Sequence, residues 1–320
     1  MSMSFGKIIA TARYLPERVV TNDDLAEWME TSDEWVQSRT GIKQRHIAEV
    51  ENTSDMCAQV AKKLISKATI DPMSLDFIIV ATMSPDYTSP SVACQVQGQI
   101  GAKQAMGFDV TAACAGFVYA VATAENFIRG GMKRGIVIGG EKISKLLDWQ
   151  DRSSAVLFGD GAAGILLEAN EEPSIIKQML RSDGERASSL TSGFRKNSNI
   201  FHEEPETNTA LAMDGRGIWN FALNDVTKSL KEFIGDESVD YYLLHQANKR
   251  IIEKIARKMN EPIEKFPMNL MNYGNTSAAS IPILLDELVE ANVLSLNSNQ
   301  KVVLTGYGGG LSWGNLLIQL

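Results

Sequence analysis

Three residues far apart in the chain carry the side chains that acyl transfer from a thioester requires: a thiol at Cys114, an imidazole at His245 and a carboxamide at Asn275. Cys114 lies in FDVTAACAGFVYAVATAENFIRGG (108–131). A short apolar run, Phe108 to Val110, precedes it. Apolar residues at 117, 118, 121, 124, 127 and 128 then follow at helical spacing up to Gly130 and Gly131. The pattern predicts a strand-to-helix turn with Cys114 near a helix N-terminus, where unpaired N–H groups and the helix dipole favour an anion and lower a thiol pKa. Ala112, Ala113, Ala115 and Gly116 leave room for a carbonyl to reach the sulfur and the backbone N–H of Cys114. A thiolate there would hold the acyl group covalently, splitting one hard step into two. His245 and Asn275 can each place an N–H on a second carbonyl oxygen and so stabilise the enolate formed when a β-carboxy thioester loses carbon dioxide. Taken singly, each has a plainer reading: a core thiol, a core histidine and a turn-capping asparagine.

An internal repeat brings the three together. In the first half the apolar strand DFIIVAT (76–82) precedes the helix-like VACQVQGQIG (92–101), then the Cys114 turn with its helix, then the strand GIVIGGE (135–141). In the second, DYYLLHQ (240–246) precedes NKRIIEKIARKMN (248–260), then NLMNYGNTSAAS with the helix IPILLDELVEA, then KVVLTGYGGG (301–310). Each half closes on a glycine-and-apolar phrase, GDGAAGILLEA (159–169) and GGGLSWGNLLIQL (308–320). The order predicts two duplicated α/β units joined near 170–173: 1–171 carrying the cysteine, and 172–320 carrying the histidine and asparagine. Pseudo-symmetry then points the Cys114 turn, the Gly274–Ser277 turn and the strand end bearing His245 at one interface. GDGAAG satisfies a bare dinucleotide-binding pattern, but an apolar strand follows where a helix would be required, so turns between antiparallel strands are expected. Near the N-terminus Thr21 to Asp24 caps a helix through Leu25, Trp28 and Met29, and Thr53-Ser54 opens another.

Composition excludes other classes. The 320 residues are 44% hydrophobic and 22% charged, enough for a large core in an ordinary soluble protein. No stretch has the length of a membrane span, and residues 1–20 lack a signal-peptide pattern, which predicts a cytoplasmic protein without membrane contacts. A net charge of −8 opposes general nucleic-acid binding. Cys57, Cys94 and Cys114 form no disulfide framework, and with His46, His202 and His245 scattered no metal-ligand spacing appears. Cys57 and Cys94 read as packing residues, His46 and His202 as solvent-facing, and 195–209 as a mobile loop.

DVTAACAGF, LLHQANKRII, YGNTSAASIP and YGGGLSWG, with TSDEWVQSRTGIKQRHIA and DRSSAVLFGDGAAG, resemble the signatures of β-ketoacyl-acyl carrier protein synthase III over essentially the whole chain. The resemblance implies the thiolase fold, a five-layered α-β-α-β-α arrangement, usually a homodimer. It implies that an acyl-CoA primer acylates Cys114 and that malonyl-acyl carrier protein then condenses with loss of carbon dioxide, without a bound cofactor or metal. His245 and Asn275 would serve decarboxylation, and the N–H groups of Cys114 and Gly309 would form the oxyanion hole. Trp35 and Arg152 would hold the adenine of CoA, Arg39 a phosphate, and Thr31, Gly215 and Asn248 would line the pantetheine channel.

Carrier proteins are acidic, and the helix after His245 offers a basic exception in an acidic chain. Lys249, Arg250, Lys254, Arg257 and Lys258 stand against one acid, Glu253, while Ile251, Ile252, Ile255 and Met259 turn toward the core. Some positions depart from the family pattern. Arg216 and Asn220 stand where Asn and Lys are common, which touches one pantetheine contact and one docking charge. Ser89 falls where some members place a bulky residue limiting the acyl pocket from across the dimer, so longer or branched primers are expected to fit. Tyr307 replaces a common Phe beside the nucleophile. Two alternatives share these motifs: a thiolase-fold acyltransferase of secondary metabolism, separable by its extender thioester, and a non-catalytic acyl-thioester binder, for which a nucleophile would be superfluous.

Overall fold

The computed structural model describes residues 4–205 and 208–320. Two sheets carry the chain. The first contains β1 (Phe5–Tyr14), β2 (Phe77–Ala81), β3 (Met106–Val110), β4 (Arg134–Glu141) and β5 (Gly161–Asn170), in the order β1-β5-β4-β2-β3. β4, β2 and β3 are parallel, whereas β5 runs antiparallel to both β1 and β4. The GDGAAG segment therefore enters an antiparallel strand, as its context predicts. The second sheet contains β6 (Ile175–Ser182), β7 (Tyr241–Leu244), β8 (Lys301–Gly308) and β9 (Ser312–Gln319). Read from β6, its order β6-β9-β8-β7 and its directions reproduce β1-β5-β4-β2. The counterpart of β3 is missing: residues 266–269, which occupy its place in the order, form no strand. Residues 171–174 link the two sheets.

Eight helices position the site: α1 (Asp33–Thr40), α2 (Thr53–Ala68), α3 (Val92–Ile100), α4 (Gly116–Arg129), α5 (Gly215–Phe221), α6 (Thr227–Ile234), α7 (Lys249–Met259) and α8 (Ser280–Glu290). α4 and α8 lie between the sheets and touch both; α2 and α3 cover the outer face of the first sheet, α6 and α7 that of the second. The result is five layers, α-β-α-β-α. Alternation along the strands explains it. On β2, Phe77 and Ile79 pack inward among Phe117 and Val121 while Ile78 and Val80 pack outward among Met56 and Val60; on β8, Leu304 faces inward and Val303 outward. Strands apolar on both faces must be covered on both, hence the three helical layers.

Local expectations fare unevenly. Thr21 is the N-cap of a helix and makes a capping box with Asp24, but that helix ends at Ala26, short of Trp28 and Met29, and Trp28 is exposed. Cys57 is core, whereas Cys94 is exposed, on the outer side of α3. His46 does not face solvent: it is half-buried, with Nδ1 2.6 Å from the Pro16 carbonyl and its ring against Tyr273. His202 is exposed as expected. In the 195–209 loop, residues 206 and 207 lie outside the described residues, and Asn199 and His202 exchange backbone hydrogen bonds. Among the described residues no helix is long and apolar enough to cross a membrane.

Candidate active site

Cys114 occupies a three-residue 3₁₀ turn, Ala113–Ala115, between β3 and α4. Its first residue, Ala113, has φ of 44°, in the left-handed region. The second half repeats this device: Ser277–Ala279 is a 3₁₀ turn running straight into α8, and its first residue, Ser277, has φ of 49°. Both turns meet the inner ends of the parallel strands, because β8 passes directly over Cys114. A Cβ on Gly308 would stand 3.0 Å from Cys114 Cβ, 3.1 Å from its N and 3.2 Å from its Sγ, so only glycine fits there without a shift. Gly309, expected to share the oxyanion hole, follows at the strand end, where an added Cβ would face Leu190 rather than the sulfur.

A cavity of about 390 Å³ opens onto Cys114, His245, Asn275, Tyr307 and Gly308. The three side chains, 30 to 161 positions apart in the sequence, thus share one chamber. Asn275 is fixed by its backbone, whose N–H donates to the Leu157 carbonyl (2.8 Å) and whose carbonyl accepts from Gly159 (3.1 Å). Its Oδ1 accepts the Ser277 N–H at 2.9 Å, which assigns the amide orientation and leaves the NH₂ as the donor available to the cavity.

His245 continues the β7 line, its N–H donating to the Thr305 carbonyl at 2.9 Å. Nδ1 lies 2.8 Å from Ser280 Oγ, and that oxygen also receives the Gln246 N–H at 3.4 Å. With the Ser280 hydroxyl donating to Nδ1, the imidazole carries its proton on Nε2; with it accepting, the proton sits on Nδ1. Burial keeps the ring neutral by pulling its pKa down to about 3. The Tyr307 ring meets the imidazole edge-on at 5.3 Å, and its hydroxyl is tied to the His245 carbonyl (3.5 Å), so the extra oxygen anchors backbone.

The thiol departs from expectation. Cys114 is 4% exposed, and burial pushes its pKa up to about 12 despite the helix that starts two residues later; Ser277 pulls it back, and the buried Glu141 adds to the rise. The turn position was legible, but the exclusion of water from it was not.

At the cavity mouth Trp35, Arg39, Gly215 and Asn248 line the wall. The Arg39 and Arg152 guanidinium carbons lie 4.5 and 5.2 Å from the Trp35 ring centroid. Asn248 caps α7 by accepting the Arg250 N–H (2.9 Å), and its amide donates to the Arg39 carbonyl (3.0 Å), joining α1 to α7. Arg152 borders rather than lines the cavity, donating to the Glu30 carbonyl at 2.7 Å. Thr31 does not line it either; its hydroxyl is buried without a partner. Ser89 is exposed and is not among the residues lining this chain's cavity.

On α7 the inward face is as expected, with Ile251, Ile252 and Ile255 buried and Met259 half-buried. The basic face divides. Arg250 lines the cavity and, with Lys254, stacks on Trp219, at 5.6 and 4.8 Å. Lys258 donates to the Leu223 carbonyl (2.8 Å), and Lys249 lies 3.9 Å from Glu253, while Arg257 is exposed on its own helix. Sequence reading missed Trp219, Ser277, Ser280 and Glu141; the first was signalled by an aromatic in the glycine-flanked GRGIWNF run. The other three carried no signal of their own. Among the described residues no group of three or more His, Cys, Asp or Glu side chains could hold a metal ion.

Comparison with known proteins places this geometry. Residues 108–184 match the family model for 3-oxoacyl-[acyl-carrier-protein] synthase III, and residues 231–320 match the model for its C-terminal part. The β-ketoacyl-[acyl-carrier-protein] synthase III of Enterococcus faecalis is 55% identical over 319 residues, covering 99% of both chains. That of Streptococcus suis is 52% identical over 320 residues, 98% of each. Among solved structures, the 3-oxoacyl-[acyl-carrier-protein] synthase III of Aquifex aeolicus superposes with a TM-score of 0.91 at 39% identity, covering 98% of this chain and all of that one. The priming β-ketosynthase of the R1128 polyketide pathway gives 0.92 at 30%, covering 100% and 97%. With these relatives matched over nearly the whole chain, and a cysteine turn, a neutral histidine and an asparagine amide in one chamber of a thiolase-like fold, the chain belongs to the β-ketoacyl-[acyl-carrier-protein] synthase III family.

Proposed function

We propose that this acyltransferase initiates fatty acid synthesis in two half-reactions run in the single Cys114 chamber. An acyl-CoA primer enters past Trp35, Arg39 and Arg152, and Cys114 takes its acyl group. Malonyl-acyl carrier protein then delivers its thioester carbonyl to the His245 Nε2–H and the Asn275 NH₂. Decarboxylation gives an enolate held by these two donors, and its carbon attacks the acyl-cysteine to release a 3-ketoacyl-carrier protein. The observation that carries this reading is that Cys114, His245 and Asn275 line one cavity, the Asn275 NH₂ left as its donor and the His245 ring kept neutral by burial. The oxyanion of the acylation step is assigned to the N–H groups of Cys114 and Gly309.

The substrates are the chain's partners in this scheme, together with a second copy that would bring Ser89 toward the acyl pocket; no cofactor enters, and the cytoplasm is the site of action. The exposed end of α7, Arg257 above all, is assigned to the acidic carrier protein. Intact-mass measurement after incubation with acetyl-CoA tests the nucleophile: a gain of about 42 Da localised to Cys114 and absent in Cys114→Ala is expected. An adduct elsewhere, or none, refutes it. Decarboxylation of malonyl-CoA faster than that of malonyl-carrier protein would favour the secondary-metabolite reading.

A further inference from the structure

The QRHI run (44–47) has no part in the chemistry described so far, yet its arginine has no exposed surface. Arg45 lies on a short antiparallel ribbon formed by Val19–Thr21 and Gln44–His46. Both ends of its guanidinium donate to backbone carbonyls, Nη1 to Val20 on the ribbon (3.2 Å) and Nη2 to Val156 (2.7 Å), and Nε is buried without a partner. Burial lowers its pKa to about 10, which leaves the charge in place at neutral pH. A cation buried on carbonyl dipoles is costly, and an apolar side chain of similar volume would serve a core better. The reason for a cation lies in what it reaches. Val156, Leu157 and Phe158 form one wall of the cavity, and their segment runs beside Asn275. The Asn275 N–H donates to the Leu157 carbonyl (2.8 Å), the Gly159 N–H donates to the Asn275 carbonyl (3.1 Å), and Phe158 and Asn275 pair as an isolated parallel bridge. Arg45 packs against both sides of that bridge. A Cβ on Gly159 would stand 2.9 Å from Arg45 Cβ and 2.3 Å from the Tyr273 carbonyl oxygen. One on Gly274, whose φ of 66° is left-handed, would stand 3.4 Å from Arg45 Cβ and 2.8 Å from the Leu157 carbonyl oxygen. The residues around Arg45 tie in the same two segments, since the Asp160 N–H donates to the His46 carbonyl (2.8 Å) and the Lys43 N–H to the Met271 carbonyl (2.9 Å).

We propose that Arg45 is the positioning residue for Asn275: by holding the Val156 carbonyl it fixes the 156–159 segment, whose own carbonyl and N–H hold the Asn275 backbone and so place the Asn275 NH₂ in the chamber. The inference rests on the assignment of Asn275 to decarboxylation. Cys114 is held by different elements, the turn between β3 and α4 under β8, so acylation does not depend on this clamp. Removing the guanidinium leaves the Val156 carbonyl buried without that donor, and the segment must shift to satisfy it. A displacement of about 1 Å at a reacting donor is enough to cost about 100-fold in rate.

The competing role is bulk stability of the core, and Arg45→Lys and Arg45→Met separate the two. Lysine keeps the charge and can serve one of the two carbonyls; methionine fills much of the space and serves neither. Enzyme acylated beforehand is mixed with malonyl-carrier protein and carbon dioxide release is timed, while acylation by saturating acetyl-CoA is followed separately by intact mass. Decarboxylation should fall about tenfold in Arg45→Lys and about 100-fold in Arg45→Met, with acylation within about twofold of the unaltered chain. Asn275→Ala supplies the second arm: in that background Arg45→Lys should cost less than about twofold more, because the group it positions is gone. Equal losses in both half-reactions, an unaltered decarboxylation rate in Arg45→Lys, or losses that multiply in the double variant overturn the proposal. Arg45→Lys decides alone if Arg45→Met does not fold. If Asn275→Ala decarboxylates as fast as the unaltered chain, the Asn275 assignment is overturned instead.

Discussion

Burial of His245 makes its neutrality measurable as stability. Its pKa is lowered from an ordinary 6.5 to about 3, so the unfolded chain binds the histidine proton well above the pH at which the folded chain does. The contribution is complete above pH 6.5 and is lost progressively as pH falls toward 3. Between pH 8 and pH 5 the unfolded state gains a proton that the folded state refuses, which removes about 2 kcal/mol of stability. Other groups titrate in the same window, so the comparison is with His245→Asn, which deletes the imidazole and keeps a polar side chain. Reversible urea unfolding at both pH values should show the unaltered chain losing about 2 kcal/mol more than the variant between pH 8 and pH 5. The decarboxylation half-reaction of pre-acylated enzyme should hold constant over the same interval. Equal stability losses in the two proteins, or a decarboxylation rate that falls with a midpoint near 6.5, would show that the ring is protonated in the chamber and would refute its role as a neutral Nε2–H donor.

Other expectations follow from particular contacts. Gly308→Ala drives a methyl to within 3.0 to 3.2 Å of Cys114, and single-turnover acylation should fall at least tenfold through displacement of the sulfur, with overpacking costing about 1–3 kcal/mol in an unfolding titration. Trp35→Ala removes the platform under Arg39 and Arg152; KM for acetyl-CoA should rise about tenfold while the single-turnover rate at saturation is kept, and an unchanged KM would refute that entrance. Arg257→Glu should raise KM for malonyl-carrier protein several-fold and leave acylation by acyl-CoA intact. It is a cleaner probe than Arg250→Glu, because Arg250 lines the cavity; equal losses in both half-reactions would exclude docking on this face. Ser280→Ala should slow decarboxylation about tenfold without slowing acylation, with ¹⁵N shifts of His245 reporting a loss of the single tautomer.

What the sequence determined by itself was periodic or repeated. The unbroken apolar run FIIVA, helical spacing after Cys114 and the duplicated order of segments suffice for two α/β units with their turns at a common seam, because each element buries the faces its apolar residues define. The same motifs held the family and the three chemical side chains. The missing counterpart of β3 was not legible, although Pro267 within 266–269 lacks the N–H that a ladder beside the free edge of β7 would use, and neither was the end of the first helix before Trp28. Only the tertiary structure decided the electrostatics. A helix N-terminus argues for an easily ionised thiol, but its pKa depends on how much water the layers above it exclude, and β8 passing over Cys114 at Gly308 excludes nearly all of it. Likewise Ser280 meets the His245 Nδ1, Glu141 gathers the donors of residues 82–84 and Arg250 joins the cavity mouth, because contacts between distant elements are set by packing depth and register, which no local pattern encodes.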